Sequence, residues 1–224
     1  GNMLTSPDSK IQRVLVVDDH PLVREGISAL LQAEGYLDVC AQAGNAAEAT
    51  AMIEKERPDL VVTDLSLPDR NGIELIKDTL AVYPRTLFLV VSMHDETLYA
   101  ERVLRTGAKG FIMKEAASDE LIDAIGKVIA GEIYVSPKMA SLLLRRLSGK
   151  TDLSMDEHSI LQELSDRELQ VFELVGKALS NQAIAEKLNV SARTVDAHKT
   201  RIKEKLALPD NNALLRFAVK WLEG

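Results

Sequence analysis

Five short apolar runs, each followed by a helical stretch, constrain the N-terminal half of this chain more than any other feature. Runs rich in Leu and β-branched residues between helical stretches are typical of the buried strands of a parallel sheet. Repetition of this unit predicts an α/β fold, a doubly wound five-stranded parallel sheet with helices on both faces. The predicted strands cover roughly residues 12–17, 37–42, 59–64, 87–92 and 110–113, and the predicted helices roughly 20–34, 46–56, 72–82, 96–106 and 118–130.

Charged and hydroxyl side chains stand at the ends of four of these predicted strands. Asp18 and Asp19 follow the first strand, Asp64 ends the third, Ser92 ends the fourth and Lys114 follows the fifth. Functional groups gather at the carboxyl ends of the strands in such sheets, so we expect the five side chains to lie together. One acid at the start of a loop would indicate only an exposed loop, but five groups in register with strand ends predict a site.

The three acids suggest the chemistry of that site. Asp18, Asp19 and Asp64 would repel one another unless a cation neutralised them, and hard oxygen ligands suit Mg²⁺ or Mn²⁺. A metal held by carboxylates can still bind the oxygens of a phosphoryl group. One carboxylate could then act as a nucleophile and form an acyl phosphate. Lys114 would pair with that phosphate, and Ser92 would hydrogen-bond to it.

The chain length of 224 residues favours two domains of modest size. We predict an α/β domain over 11–133, a linker over 134–160 and an all-α domain over 161–224. The linker contains a short helix near 138–147, and its polar part, 148–160, is predicted to be flexible. The apolar runs are too short for us to expect a membrane span, and the sequence opens with no signal-peptide pattern. Cys40 is the only cysteine, which favours a reducing, cytoplasmic setting.

A basic helix stands out in an acidic protein. The net charge is −7, and residues 1–133 hold 13 Lys and Arg against 22 Asp and Glu. In contrast, residues 192–206 hold five cations against two acids. A preceding helix over 181–188 and a tight break complete a helix-turn-helix pattern, and the local positive charge indicates nucleic acid binding. The alternative is a helical interaction domain whose charges are merely solvated.

Residues 11–131 resemble the receiver domain of two-component response regulators. The resemblance implies that a sensor histidine kinase phosphorylates Asp64. It also implies that Asp18 and Asp19 hold Mg²⁺ together with Asp64, with Asp19 as the direct ligand and Asp18 acting through water. The backbone carbonyl of Ser66 would complete the protein ligands.

Three further positions match the family's switch residues. Ser92 and Lys114 correspond to the hydroxyl and the lysine that contact the phosphate, and Phe111 corresponds to the aromatic that rotates inward on activation. The sequence departs from the family's pattern at Glu115, where proline in a cis linkage is common, and a cis bond is not expected without proline. Phe111 also stands where relatives often carry tyrosine, so it lacks a phenolic hydroxyl.

Residues 164–168, 180–185 and 191–206 resemble a LuxR-type helix-turn-helix. With the receiver in front, the order matches the NarL/FixJ family of response regulators over nearly the whole chain. The resemblance implies sequence-specific binding to double-stranded DNA, control of transcription by phosphorylation and a homodimer in the phosphorylated state. The implied DNA contacts are Asn181, Gln182, Arg193, Thr194, Asp196, Ala197, Lys199, Thr200, Arg201 and Lys203.

Two other functions remain open at this point. A magnesium-dependent phosphohydrolase of the haloacid-dehalogenase type also uses a nucleophilic Asp after a strand, but it needs an Asp-x-Asp signature where this chain has Asp18-Asp19-His20. Alternatively, the first domain could be a docking module that works without phosphate, while the second still binds DNA. We predict a regulator rather than an enzyme.

Overall fold

A five-stranded, all-parallel sheet forms the centre of the N-terminal unit. The computed structural model describes residues 10–149, 157 and 159–223 of the chain. The strands lie in the order β2-β1-β3-β4-β5, which confirms the predicted doubly wound fold. Their bounds are Gln12–Val17 for β1, Leu37–Ala43 for β2, Leu60–Thr63 for β3, Leu87–Ser92 for β4 and Gly110–Met113 for β5.

Five helices connect and flank these strands, close to the predicted positions. Several start at a side chain that accepts a hydrogen bond from the first turn: Asn45, Asn71 and Asp95 cap the second, third and fourth helices. Such caps satisfy backbone amides that have no partner within the helix. The helices are Pro21–Gln32 (α1), Ala46–Glu56 (α2), Gly72–Val82 (α3), Glu96–Arg105 (α4) and Ser118–Ile129 (α5).

The core of the N-terminal unit lies on both faces of the sheet. The four residues of β3 are all buried, as are Val14 to Val17 of β1, because helices cover both faces of a doubly wound sheet. The strand order reverses between β1 and β3, so the loops after these two strands diverge and leave a crevice at their carboxyl ends. This is the edge at which the predicted acids stand.

Tyr134 adds one residue of parallel pairing to the outer edge of β5. Its carbonyl accepts from the amide of Phe111 at 3.0 Å, and its own amide donates to the carbonyl of Lys109 at 2.9 Å. The phenol donates to Glu120 Oε1 at 2.6 Å. Burial and the bond to Glu120 raise the pKa of Tyr134. The predicted linker begins at Tyr134, whereas the backbone of this residue pairs with the sheet.

The chain divides into two compact units after Leu143, a position inside helix α6, Pro137–Leu147. Residues 150–156 and 158 of the predicted flexible segment lie outside the described residues. The C-terminal unit is helical, as predicted. Its helices are Asp166–Gly176 (α7), Asn181–Leu188 (α8), Ala192–Leu206 (α9) and Asn211–Glu223 (α10).

A tight turn between α8 and α9 gives the helix-turn-helix its shape. Asn189 ends α8 in the left-handed region, with φ of 55°, a conformation that Asn adopts more readily than most residues. The Ser191 side chain then caps α9 by accepting from the amide of Thr194. Ile184, Val195 and Ile202 are fully buried between the helices.

A capping box at the start of α7 should stabilise the C-terminal unit. The Ser165 hydroxyl accepts from the Glu168 amide at 3.1 Å, and the Glu168 carboxylate accepts from the Ser165 amide at 3.1 Å. We expect Ser165→Ala to lower the free energy of unfolding of the C-terminal unit by about 1 kcal/mol, because the α7 amide loses its partner. Urea unfolding followed by the fluorescence of Trp221, the single tryptophan of the chain, measures this loss.

A matched variant separates the cap from other effects at this position. Ser165→Asp retains an acceptor for the Glu168 amide and should recover most of the lost stability. If the alanine variant were as stable as the parent protein, the cap would have no net energetic role.

Candidate functional site

Lys114 joins two buried carboxylates at the carboxyl edge of the sheet. Its Nζ lies 2.8 Å from Asp18 Oδ2 and 2.7 Å from Asp64 Oδ2. The side chains of Asp18 and Asp64 are only 2% and 4% exposed. Charges removed from water to this degree require close compensation, which the single ammonium provides for both acids. The structure therefore brings together the ends of β1, β3 and β5, as the sequence predicted.

The ammonium of Lys114 stays charged in this setting. Burial by itself would lower the pKa of Lys114, but hydrogen bonds to Asp18 and Asp64 outweigh it and raise the pKa above its ordinary value. A raised lysine pKa means that this stabilisation is present throughout the neutral range and is lost only as the pH rises through the folded-state pKa.

Asp19 and His20 complete an acidic cluster around the pair. One ligand atom from each of Asp18, Asp19, His20 and Asp64 lies within 4.8 Å of the others. His20 Nδ1 is 3.2 Å from Asp18 Oδ1 and 3.0 Å from Asp19 Oδ1, although 63% of the His20 side chain is exposed. The predicted site omits His20, whereas the structure places this residue against both acids.

The carboxylates fit a hard divalent cation. Three carboxylate side chains on one crevice supply oxygen donors, and the exposed side chains of Asp19 and His20 leave the mouth open to water. Mg²⁺ binds through one or two carboxylates and retains several waters, so this donor set suits it. The imidazole is not needed for such a site.

Ser92 and Phe111 are both buried, on the adjacent strands β4 and β5. The Ser92 hydroxyl accepts from the backbone N–H of His94 at 2.9 Å, and Phe111 is 1% exposed on the neighbouring strand β5. The Ser66 amide donates to Asp64 Oδ1 at 3.2 Å. The Ser66 hydroxyl also contacts His94 Nε2, which links the loops after β3 and β4.

Two residues that the sequence analysis did not single out hold the loop after Asp64 in place. The Gly72 amide donates to the Leu65 carbonyl at 2.8 Å, and an added Cβ would lie 2.6 Å from the Asp64 carbonyl oxygen. The Asp69 carboxylate accepts from the amides of Ala46 and Ala47 at 2.8 and 2.9 Å, at the N-terminus of α2. Burial would raise the pKa of Asp69, but these hydrogen bonds and others from backbone amides lower it overall.

The second candidate site is the outer face of α9 together with the start of α8. Val195 and Ile202 point into the core of the unit, which leaves the polar residues of α9 on the opposite face. Of the predicted contact residues, Gln182, Arg193, Asp196, Ala197, Thr200 and Arg201 are exposed, while Asn181, Thr194, Lys199 and Lys203 are partly exposed.

A buried carboxylate on α7 fixes the far end of α9. Glu168 is 3% exposed and lies 2.5 Å from Lys205 Nζ and 3.7 Å from Arg201 Nε. Burial would raise the pKa of Glu168, but the hydrogen bonds from Lys205 and the Ser165 amide lower it. Arg201, a predicted DNA contact, is thus directed partly towards α7.

Comparison with known proteins assigns both units. Residues 14–126 match the response regulator receiver domain, and residues 162–218 match the bacterial regulatory proteins of the luxR family. Among the helices that the structure describes, none combines the length and apolar character needed to cross a bilayer.

Similar proteins cover almost the whole chain. The oxygen regulatory protein NreC of Staphylococcus carnosus is 35% identical over 210 residues, which is 93% of this chain and 97% of NreC. RcsB of Salmonella enterica serovar Typhimurium, solved on the promoter P1flhDC with the phosphomimetic BeF₃⁻, is 26% identical with a TM-score of 0.67 and covers 93% of this chain and 98% of RcsB. A structure of two RcsB dimers on two parallel DNAs is also 26% identical, with a TM-score of 0.58 and coverage of 92% and 97%.

Proposed function

Because this chain belongs to the NarL/FixJ-type response regulators, which join a receiver domain to a LuxR-type DNA-binding domain, we propose that phosphorylation of Asp64 by a sensor histidine kinase controls its binding to DNA. The observation that carries the proposal is the contact of Lys114 with the buried carboxylates of Asp64 and Asp18. A carboxylate at a strand end, beside a fixed cation, suits an acyl phosphate. The family is one of transcription regulators and not of hydrolases.

We propose that Asp19, Asp64 and the Ser66 carbonyl hold Mg²⁺, with Asp18 acting through water. The bound ion supplies positive charge that offsets the acids and the incoming phosphoryl oxygens. Support comes from the cluster of three carboxylates within reach of one another and from the amide of Ser66, which fixes this loop on Asp64 Oδ1. His20 orients Asp18 and Asp19 without entering the ligand set.

Phosphoryl transfer then uses the groups already in place. An Asp64 oxygen attacks the phosphorus of the kinase phosphohistidine, the P–N bond breaks, and the imidazole leaves with the electron pair. The Lys114 ammonium then pairs with the phosphoryl oxygens instead of the Asp64 carboxylate. The Ser92 hydroxyl, whose oxygen accepts from the His94 amide, donates its hydrogen to a phosphoryl oxygen. Phe111 is already buried, so its part in the switch is a change of packing between β4 and β5 rather than a change of exposure.

The output of this switch is binding to double-stranded DNA. The solved RcsB complexes place a related chain on promoter DNA and as dimers. We propose that phosphorylation favours a homodimer of this chain whose α9 helices enter the major groove, with cations of α9 on the phosphates. A regulator that meets both a kinase and the chromosome acts in the cytoplasm.

Exposure of the purified protein to acetyl phosphate and Mg²⁺ tests the proposal. Intact-mass spectrometry should show one labile phosphoryl increment, and peptide mapping should place it at Asp64. The Asp64→Asn variant should show none, nor should the parent protein with the metal chelated. Asp38→Asn, which changes an exposed acid of β2, is the matched control and should be labelled as the parent protein is.

The regulatory half of the proposal has its own measurement. The affinity for DNA fragments selected from a randomised pool should rise with beryllofluoride in the parent protein but not in Asp64→Asn. If the DNA affinity of Asp64→Asn were controlled as it is in the parent protein, that result would instead support a receiver that docks partners without phosphate.

A further inference from the structure

Asn181, Asp196 and Lys199 form a hydrogen-bonded chain across the helix-turn-helix, which we call the Asn181 bridge. The Asn181 carboxamide N–H donates to Asp196 Oδ1 at 2.5 Å. The Lys199 ammonium donates to the carbonyl oxygen of the same carboxamide. Asn181 is the first residue of α8, while Asp196 and Lys199 lie in the first two turns of α9.

The chemistry of the two neighbours fixes the orientation of the Asn181 carboxamide. A carboxylate only accepts hydrogen bonds, and an ammonium only donates them. The amide N–H₂ must therefore face Asp196, and the amide oxygen must face Lys199. The reversed orientation would put oxygen against oxygen and nitrogen against nitrogen.

Without such partners, the Asp196 carboxylate would be unfavourable on a surface that binds DNA. A carboxylate on a helix that faces DNA repels the phosphates unless it is neutralised. Burial lowers the pKa of Lys199, and the Asp196 carboxylate acts against that effect and helps to keep the ammonium charged. In the Asn181 bridge, the negative charge of Asp196 therefore stabilises the charged form of Lys199.

Direct reading of a base is the other role that a carboxylate could have here, since Asp accepts from the N4 amino group of cytosine. In that role Asp196 would accept from the base through Oδ2, because Oδ1 accepts from Asn181. Rotation of the carboxylate towards a base would loosen its bond to Asn181, whereas the neighbouring methyl of Ala197 is exposed on the same helix.

We propose that Asp196 is a positioning residue: it holds Asn181 and Lys199 as one preformed phosphate clamp and does not read a base. The inference rests on the proposed DNA-binding function and specifies how one part of that surface works. A clamp assembled before binding spares the loss of side-chain freedom that Asn181 and Lys199 would otherwise undergo on DNA.

The two possible roles of Asp196 predict opposite changes in DNA affinity when its side chain is removed. Removal of an acid from a DNA-facing helix should tighten binding if its charge alone mattered. We expect Asp196→Ala instead to weaken binding about tenfold, or about 1.4 kcal/mol. The loss should be equal for selected and unselected duplexes, and the salt dependence should become shallower by about one counterion, because a phosphate contact is lost.

The experiment uses the full chain with beryllofluoride, a randomised duplex pool and one unselected duplex of fixed sequence. Asp196→Ala, Asn181→Ala and the double variant are titrated across a range of salt concentrations. The double variant should bind no more weakly than Asn181→Ala alone, since both changes break the same clamp. Asp196→Asn retains an acceptor for Asn181 and should restore most of the affinity. Glu204→Ala removes an exposed acid from the same helix and should not weaken binding.

The possible outcomes are distinguishable. If Asp196→Ala changes the preferred base at one position while binding to the unselected duplex stays equal or tightens, Asp196 reads a base and the clamp is wrong. An Asp196→Asn variant as weak as Asp196→Ala would also contradict positioning through this hydrogen bond. Failure of the parent protein to bind any duplex, with Trp221 fluorescence showing a folded C-terminal unit, would overturn the proposed function itself and the clamp with it.

Discussion

Lys114→Met is expected to lower the free energy of unfolding of the receiver by about 3 kcal/mol in the absence of divalent metal. The reason is that Asp18 and Asp64, 2% and 4% exposed, would lose the ammonium that lies 2.8 and 2.7 Å from them. Two carboxylates kept from water without a cation repel each other and lack solvation. Urea denaturation followed by circular dichroism gives the loss, and hydrogen exchange in β1 and β3 assigns it to the receiver.

Magnesium separates this electrostatic account from simple loss of packing. Saturating Mg²⁺ brings positive charge to the same acids, so it should stabilise the methionine variant more than the parent protein. Lys127→Met is the control, because Lys127 is 48% exposed and makes surface contacts, an ion pair with Asp123 and a position 5.5 Å from the centre of the Tyr134 ring. That variant should stay within about 1 kcal/mol of the parent protein. Equal losses for the two variants would contradict the role given to Lys114.

Gly72→Ala is expected to disable the phosphorylation site through the backbone alone. The added Cβ would lie 2.6 Å from the Asp64 carbonyl oxygen and 2.9 Å from the Leu65 Cα, and neither atom belongs to a side chain that could rotate away. The backbone must shift, which weakens the bond from the Gly72 amide to Leu65 and moves Asp64. We expect a loss of about 2 kcal/mol in stability and a phosphorylation rate by acetyl phosphate at least about tenfold lower, as small misplacements of reacting groups are costly.

Gly126→Ala is the matched control for that steric argument. Gly126 lies inside α5, and the nearest atom to an added Cβ is Tyr36 Oη at 3.9 Å. Alanine favours a helix by about 1 kcal/mol over glycine, so this variant should be as stable as the parent protein or more stable. Its phosphorylation rate should not change. A Gly72→Ala protein that is labelled at the parent rate would show that the loop tolerates the shift.

The sequence alone predicted the strand-end groups of the receiver well, for a physical reason. Parallel strands bring their carboxyl ends to one edge, so Asp18, Asp64 and Lys114 had to converge once the strands were recognised. The starts of α2 and α3 were predicted equally well, and Asn45 and Asn71 cap them locally, which leaves a short-range pattern.

Contacts between residues that are distant in the sequence left no such pattern. Asp69 caps a helix that begins 23 residues earlier, and Asn181 bonds to a residue 15 positions later. Tyr134 pairs through a single residue, which is too short to show the alternation of a strand. Each of these contacts depends on how helices and strands pack against one another. That packing cannot be read from a single sequence.

The pairing of Tyr134 also determines where this receiver can be cut from its output. β5 is the last strand of the sheet, and Tyr134 occupies the amide of Phe111 and the carbonyl of Lys109 on its open side. A fragment that stopped at residue 133 would present bare strand edges, which template association between molecules. Chimeric sensors that splice this module onto a foreign effector should therefore place the junction beyond Tyr134.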